Sequence, residues 1–281
     1  MWRAVGNRQA SGVRQRAADL TDAAAARELV AWARPDAIYH MAAVAFGPDA
    51  SGDIGNALDV TVRGTAYLLE AASALGSPPI VMIPSSAEVY GTGSGRPLTE
   101  RMPMAPVSPY GATKVAQEAL GLAYHRAGRL PVVVARAFNH IGPGQRESFV
   151  VPAFALQLAA IAAGGASPQL QVGNLGSRRD FTDVRDVVVA YRLLVAGRHA
   201  GQPVNVASGR AIAVREVLDA LIRLSGLEVT VTVDPLRQRP SEIDVVCGSA
   251  ALLRRLTGWR RRFPLRQTLR DVWKDAEKRM A

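Results

Sequence analysis

Apolar, β-branched runs recur along the chain, separated by longer stretches in which apolar residues return every three or four positions. That alternation predicts βα units stacked on a parallel sheet. Thr21 and Asp22 carry the short oxygen side chains that cap a helix, expected to run to about residue 33. Asp36-Ala-Ile-Tyr-His-Met41 then reads as a strand entering the small-residue loop Ala42-Ala43, and a long helix follows over about residues 55–75. Ile80-Val-Met-Ile83 reads as a buried strand whose end carries Ser85-Ser86. Pro109, pre-set for the first turn of a helix, opens the next one to about residue 127, and Val132-Val-Val-Ala135 is the strand after it.

From Gly142 the pattern is less regular. It predicts a helix near residues 149–163, a loop through Gly173-Asn-Leu-Gly176, a helix from about Asp183 and a strand at Val204-Asn-Val206. Segments at 214–225 and 229–233 and a last helix from Leu265 complete it. The expected fold is α/β: a Rossmann-like, doubly wound parallel sheet over 1–140, rejoined by 183–206, and a smaller α/β lobe from 141–182 and 207–281.

Composition narrows the class. With 48% hydrophobic and 21% charged residues over 281 positions, the chain has enough apolar surface to bury and is not a disordered segment. No apolar run approaches the roughly 20 residues of a membrane span, and Met1-Trp-Arg-Ala-Val-Gly-Asn-Arg8 lacks the apolar centre of a signal peptide. A cytoplasmic protein without a membrane partner is therefore expected. Cys247 is the only cysteine, which excludes an intrachain disulfide and a thiolate metal cluster from this chain alone, and no metal site is expected. The net charge of +10 fits nucleic acid, an anionic surface or a small anionic substrate. It is carried almost wholly by arginine, with lysine only at 114, 274 and 278, and the run Arg260-Arg-Arg262 reads as a solvated loop. Nucleic acid is accordingly not expected as a partner.

Tyr110-Gly-Ala-Thr-Lys114 holds the central chemistry. Residues four apart share a helix face, so an ammonium at 114 can stabilise the phenolate of 110 and fit that tyrosine to exchange a proton with a carbonyl or alcohol oxygen. Upstream, Ser85-Ser86-Ala87-Glu88-Val89-Tyr90-Gly91 follows a buried strand, where α/β sheets place ligands. Ser86 can hydrogen-bond the same oxygen or, more plainly, cap a turn. At these residues the sequence resembles the extended short-chain dehydrogenase/reductase (NAD-dependent epimerase/dehydratase) superfamily, and the resemblance gives Ser86, Tyr110 and Lys114 catalytic roles and sets Tyr110 and Lys114 against the cofactor, where a compact ammonium can bridge ribose hydroxyls.

The resemblance extends over about residues 17–275 in the order of the GDP-sugar branch. It runs through Arg136-Ala-Phe-Asn-His-Ile-Gly-Pro-Gly-Gln145, Phe149-Val-Val-Pro152, Gly173 to Asp186, Arg239-Pro-Ser-Glu242 and Thr257-Gly-Trp259. It implies that Asn139 and Arg179 hold a diphosphate, Val151 lines a nucleotide pocket, and Arg239 with Glu242 closes over the nucleoside; an arginine fork suits phosphate oxygens. It also implies that Asp19-Leu20 meets an adenine, Ala42 and Ala43 pack on a cofactor, and His140 lies beside a nicotinamide. Asp19 equally reads as a helix cap and His140 as a structural hydrogen-bonder.

The implied activity is NADPH-dependent reduction of the 4-keto group of a GDP-4-keto-6-deoxyhexose by a homodimer paired through the helices at 55–75 and 109–127. Glu88, two residues after Ser86, matches the acid of a GDP-mannose 4,6-dehydratase and keeps that reaction, or another NDP-sugar epimerase or dehydratase, as the alternative. Two positions depart from the family. No Gly-x-x-Gly-x-x-Gly loop opens the chain, so the sequence is expected to begin near the second strand, with a central strand and roughly 25 to 30 residues of the family's fold missing and a non-catalytic pseudoenzyme a further possibility. Arg8 would then stand where an arginine receives a 2′-phosphate, favouring NADP over NAD. Thr61 stands where relatives carry Asn, a change expected to touch a structural hydrogen bond.

Overall fold

The computed structural model describes residues 13–45, 47–92, 95–237 and 244–280. The chain first forms α1 (Ala23–Ala33), β1 (Ala37–Tyr39), the short α2 (Gly47–Gly52) and α3 (Ile54–Ala57), a π-helical turn at Leu58–Arg63, and α4 (Gly64–Ser73). β2 (Ile80–Ser86), a 3-10 turn at Ala87–Tyr90, α5 (Pro109–Arg126), β3 (Val132–Ala137) and β4 (Asn139–Ile141) come next. Then follow α6 (Val150–Ala162), β5 (Gln169–Val172), β6 (Arg178–Asp183), α7 (Val184–Ala196), β7 (Pro203–Val206) and β8 (Ala211–Ala213). The last elements are α8 (Val214–Ser225), β9 (Thr230–Val233), β10 (Val245–Val246), α9 (Ala251–Thr257) and α10 (Leu265–Met280).

The expected caps are in place. Asp22 Oδ1 accepts from Ala24 N at 2.7 Å and so starts α1. Ser108 Oγ accepts from Gly111 N at 3.0 Å with Pro109 at the first helical position, and so starts α5. The helix expected at 55–75 is continuous from Ile54 to Ser73 but carries the π-helical turn in its middle.

Two compact units divide the chain: the described residues up to Ser85, Ser108–Val134 and Val195–Gln202 form one, and Ser86–Val107, Ala135–Leu194 and the described residues from Pro203 form the other. A four-stranded sheet has the order β1-β2-β3-β7, β1 pairing parallel to β2 with Ala37 opposite Ile80. In the first unit Val81, Ile83, Val132 and Val134 meet Leu69 of α4 in one apolar cluster, and Val30 of α1 packs on Leu68 and Ala71 of α4. Each fully buried aliphatic side chain of this kind stabilises by about 1.5–3 kcal/mol.

In the second unit β6 pairs parallel with β4 and β10 and antiparallel with β8, and β5 pairs parallel with β9. Helices α6, α8 and α10 enclose its core, built around Phe154, Leu158, Leu218, Leu221, Leu269 and Trp273. Strand β6 was not expected: Arg178-Arg-Asp180 breaks the apolar pattern of a strand because its acids are used for folding. Asp180 accepts from Ser208 N, Gly209 N and Gly248 N at 2.7, 3.0 and 3.1 Å. Asp183 accepts from Thr268 Oγ1 and Arg185, which also reaches Asp271. Asp186 accepts from Arg262 N and Phe263 N, and its carbonyl accepts from Trp259 Nε1 at 2.9 Å. The exposed Arg260–Arg262 segment is held by that last clasp. Among the described residues no helix is long and apolar enough to cross a membrane.

Replacing Asp186, which is 1% exposed, by Ala strips two backbone N–H groups of their acceptor. The expected loss is about 2 kcal/mol, a fall of about 4–8 °C in melting temperature, read by calorimetry. Gly91 has φ +68°, and a Cβ there would lie 1.8 Å from the carbonyl oxygen of Ala105. Gly91→Ala is expected to cost at least about 2 kcal/mol, and a melting curve unchanged from the parent refutes this account of the turn after Tyr90.

Candidate active site

Tyr110 and Lys114 lie one turn apart on α5, and the Lys114 ammonium sits 5.9 Å from the centroid of the Tyr110 ring. Tyr110 is half-buried and packs against the cluster of Val44, Ala50 and Ala57. Lys114 is 5% exposed. Its Nζ donates to Pro84 O at 3.0 Å and to Gln117 Oε1 at 2.9 Å, which anchors the amine at the end of β2. Burial pushes its pKa down from the ordinary lysine value to about 8, so the amine is a cation at neutral pH and titrates close above it.

Around this amine is a buried polar chain. Gln117 Nε2 donates to Thr65 Oγ1 at 2.9 Å, Thr65 Oγ1 donates to Thr61 O at 2.5 Å, and His40 Nε2 lies 2.8 Å from Thr65 Oγ1. Burial, with the Lys114 charge second, holds the His40 pKa down at about 4, so the imidazole is neutral. Thr61 Oγ1, within the π-helical turn, accepts from Val44 N at 3.1 Å, the structural hydrogen bond expected at that position. Next to Lys114's anchor, Ser85 Oγ donates to the buried Glu118 at 3.0 Å. Sequence reasoning missed Gln117, Thr65, His40 and Glu118. For Thr65, Gln117 and Glu118 the available signal was polarity at helix positions whose neighbours are buried, and for His40 its place directly after β1.

Of the residues expected at a cofactor in the first unit, Asp19 and Ala42 are exposed, Leu20, Ala43 and Tyr110 half-buried and Lys114 buried. Asp19 is exposed, its Oδ1 accepting from Thr21 Oγ1 at 2.7 Å and Thr21 N at 2.9 Å, which holds its pKa below the ordinary carboxylate value. It is therefore not the cap of α1, which is Asp22. Leu20 packs beside Gly64. Ala42 is exposed and Ala43 half-buried in the loop after β1, with the exposed Met41 between them and the buried His40. Arg8, Arg239 and Glu242 lie outside the described residues.

Ser86 ends β2 and opens the second unit, where its Oγ accepts from Glu88 N at 3.2 Å and caps the 3-10 turn. Glu88 on that turn is exposed, whereas Tyr90 is buried, donating to Asn205 Oδ1 at 2.7 Å and accepting from Arg136 Nη1 at 2.9 Å. In the same unit Asn139 is exposed on β4 opposite Phe181 of β6, two residues from Arg179 and on the same sheet face. Asn139 and Arg179 therefore lie on neighbouring strands of one sheet. His140 Nδ1 lies 3.2 Å from the Phe138 carbonyl, to which it donates, and desolvation of the ring holds its pKa below the usual histidine value. Val151 is fully buried in the α6 core, so its side chain offers no exposed surface. Among the described residues no group of acids, histidines and cysteine is placed to hold a metal ion.

The chain is similar to sugar-nucleotide reductases, dehydratases and epimerases. It is 37% identical over 248 residues to GDP-6-deoxy-D-mannose reductase of Pseudomonas aeruginosa, covering 88% of this chain and 82% of that protein. It is 27% identical over 269 residues to GDP-mannose 4,6-dehydratase of Sinorhizobium fredii, covering 88% and 76%. The solved structure of RMD from Pseudomonas aeruginosa complexed with NADPH superposes with a TM-score of 0.89 at 35% identity, covering 94% of this chain and 88% of that one. That likeness agrees with the Rossmann-like α/β fold and parallel sheet expected from the sequence. The profile of the family described as GDP-mannose 4,6 dehydratase matches residues 4–272, and the chain belongs to that family.

Proposed function

We propose that the protein is an NADPH-dependent oxidoreductase that reduces the 4-keto group of a GDP-4-keto-6-deoxyhexose to the alcohol of a GDP-6-deoxyhexose. The observation that carries the proposal is the buried Lys114 cation on the Tyr110 face of α5. Similarity to a GDP-6-deoxy-D-mannose reductase supports the substrate class.

The residues fit a dinucleotide. The Asp19 carboxylate is exposed to accept from an adenine or ribose, Ala42 and Ala43 leave room for a flat group, and the Lys114 ammonium suits ribose hydroxyls. Similarity to a structure holding NADPH favours NADP over NAD, with Arg8 the residue proposed for its 2′-phosphate. When bound, NADPH supplies the hydride that reaches C4.

The chain's own part is acid catalysis and orientation. Tyr110 donates its phenolic proton to the sugar O4 as negative charge develops there, Lys114 stabilises the phenolate left behind, and Ser86 orients the oxygen. On the second unit Asn139 and Arg179 hold the diphosphate and His140 lies on the nicotinamide side. Val151, whose side chain is sealed in the core, is not part of the nucleoside pocket; the sequence resemblance leaves Arg239 and Glu242 for that role. The second reading, GDP-mannose 4,6-dehydratase, rests on the exposed Glu88 two residues after Ser86. We further propose a cytoplasmic homodimer joined through the helical stretch at 54–73 and α5. Exposed Ile54 and Leu58 on that stretch support it, and sedimentation as a monomer refutes it.

The purified chain, given GDP-4-keto-6-deoxymannose and NADPH, is expected to consume NADPH in step with the sugar; no sugar-dependent loss of absorbance ends the proposal. Tyr110→Phe is expected to lower kcat by about 10²–10⁴-fold with KM little changed. Glu88→Gln is expected to leave reduction largely intact; conversion of GDP-mannose by the parent chain, lost in Glu88→Gln, selects the dehydratase instead. Lys114 carries its proton below pH of about 8 and loses it above, so kcat/KM of the free enzyme is expected to fall as pH rises through that value. A profile flat across it contradicts a role for the cation.

A further inference from the structure

We propose that Gln117 is a positioning residue for Lys114, holding the ammonium against β2 and joining it through Thr65 and His40 to the loop after β1. The catalytic consequence rests on the function proposed above; the positioning itself does not.

Hydrogen-bond direction makes the case. Gln117 is fully buried and stands three residues after Lys114 on α5. Its Oε1 accepts from Lys114 Nζ, and its Nε2 donates to Thr65 Oγ1 and reaches the Thr61 carbonyl at 3.5 Å. The amide cannot be turned over: reversed, it would set N–H groups against the ammonium and an oxygen against the Thr61 carbonyl. Thr65 spends its only proton on Thr61 O, so it must accept from both Gln117 and His40. His40 therefore carries its proton on Nε2, as a neutral imidazole of low pKa can. His40 N in turn donates to Met82 O at 2.9 Å, which fixes the residue at the end of β1. The acceptors offered to the Gln117 amide N–H groups, Thr65 Oγ1 and Thr61 O, thus fix which end of the amide meets Lys114, and they belong to α4 and the π-helical turn.

A buried amine needs such acceptors more than a surface one does. Two of the three ammonium donors go to Pro84 O and Gln117 Oε1, and removing either exposes the charge to an uncompensated apolar surrounding. Among the described residues the titratable groups around this point are His40 beside β1, and Tyr110 and Glu118 on α5, the last accepting from Ser85. His40 stays neutral above pH of about 4, so it does not titrate with Lys114.

The chain has only three lysines, so protein labelled with ¹³C and ¹⁵N lysine gives three side-chain signals, assigned with Lys274→Arg and Lys278→Arg. Gln117→Leu removes the acceptor at similar volume and is expected to lower the Lys114 pKa by about one unit; Gln117→Glu places a carboxylate there and is expected to raise it. With reductase activity, Gln117→Leu is expected to lose about tenfold or more in kcat with KM for the keto sugar nearly unchanged. Its alkaline limb moves down in pH with the measured pKa, and that of Gln117→Glu moves up. Should Gln117→Leu not fold, the Gln117→Glu titration decides alone. A Lys114 signal that titrates as in the parent in the folded variants overturns the inference. Absence of activity in the parent chain refutes the proposed function while leaving the titration to judge Gln117.

Discussion

A protonated amine is stable inside a protein only where fixed acceptors replace water, and Lys114 is such an amine. Its displacement from the ordinary lysine value to about 8 corresponds to about 3 kcal/mol by which folding favours the neutral form. The sign follows from proton counts. Between pH of about 8 and the ordinary lysine value the unfolded chain binds more protons, so this group's contribution to stability rises with pH there, and below about 8 its full cost is present. At neutral pH the fold thus holds a cation against its own preference. Pro84 O, Gln117, Thr65, Thr61 and His40 are arranged so that the cost is borne at one place and in one geometry.

The same economy of direction explains the π-helical turn. Thr61 lies within it and serves at both ends: its hydroxyl accepts from Val44 N, and its carbonyl accepts from Thr65 and Gln117. A π-helical turn is often found where backbone groups are wanted outside the regular ladder, and here one residue binds the loop after β1 to α5. The second unit uses buried acids for the equivalent task. Asp180, Asp183 and Asp186, three residues apart, each gather donors from distant chain segments. Asp180 shows the balance of forces: three backbone N–H groups favour its charge, yet burial is the larger effect and raises its pKa. Its motif reads as chemistry in the sequence and works in the structure as scaffolding.

Much of the fold was legible because it rests on periodicity. Helices α1, α5, α6, α8 and α10 lie within a few residues of their expected spans, since each carries an apolar stripe, and α1 and α5 also have a recognisable start in Asp22 and in Ser108-Pro109. Strands β1, β2, β3, β7 and β9 were equally plain from their β-branched content. Strands β4 and β6 were not. Asn139-His140 and Arg178-Arg-Asp180 present polar side chains on a sheet whose partners come from elsewhere in the chain, and no local pattern announces such a strand. The Thr257-Gly-Trp259 motif likewise gained a physical meaning only in three dimensions: Gly258 closes α9 with φ +68°, and the indole N–H reaches the Asp186 carbonyl.

For the candidate site the dividing line was whether partners are neighbours in sequence. Tyr110 and Lys114 share a helix face, so a spacing of four was enough to expect the ammonium beside the tyrosine hydroxyl; the distance the structure gives is 5.9 Å from Nζ to the ring centroid. Ser86 was open between capping a turn and facing a substrate, and it does cap the turn through Glu88 N; a hydroxyl that accepts there still has its proton to give, so the two roles do not compete. Gln117 was invisible by contrast. A glutamine on a helix is ordinary until its neighbours are known, and those neighbours, Thr65 and His40, come from positions 52 and 77 residues earlier in the chain. The side chain that directs the lysine is therefore found by following donors to acceptors through a buried network, which spacing along a chain does not encode.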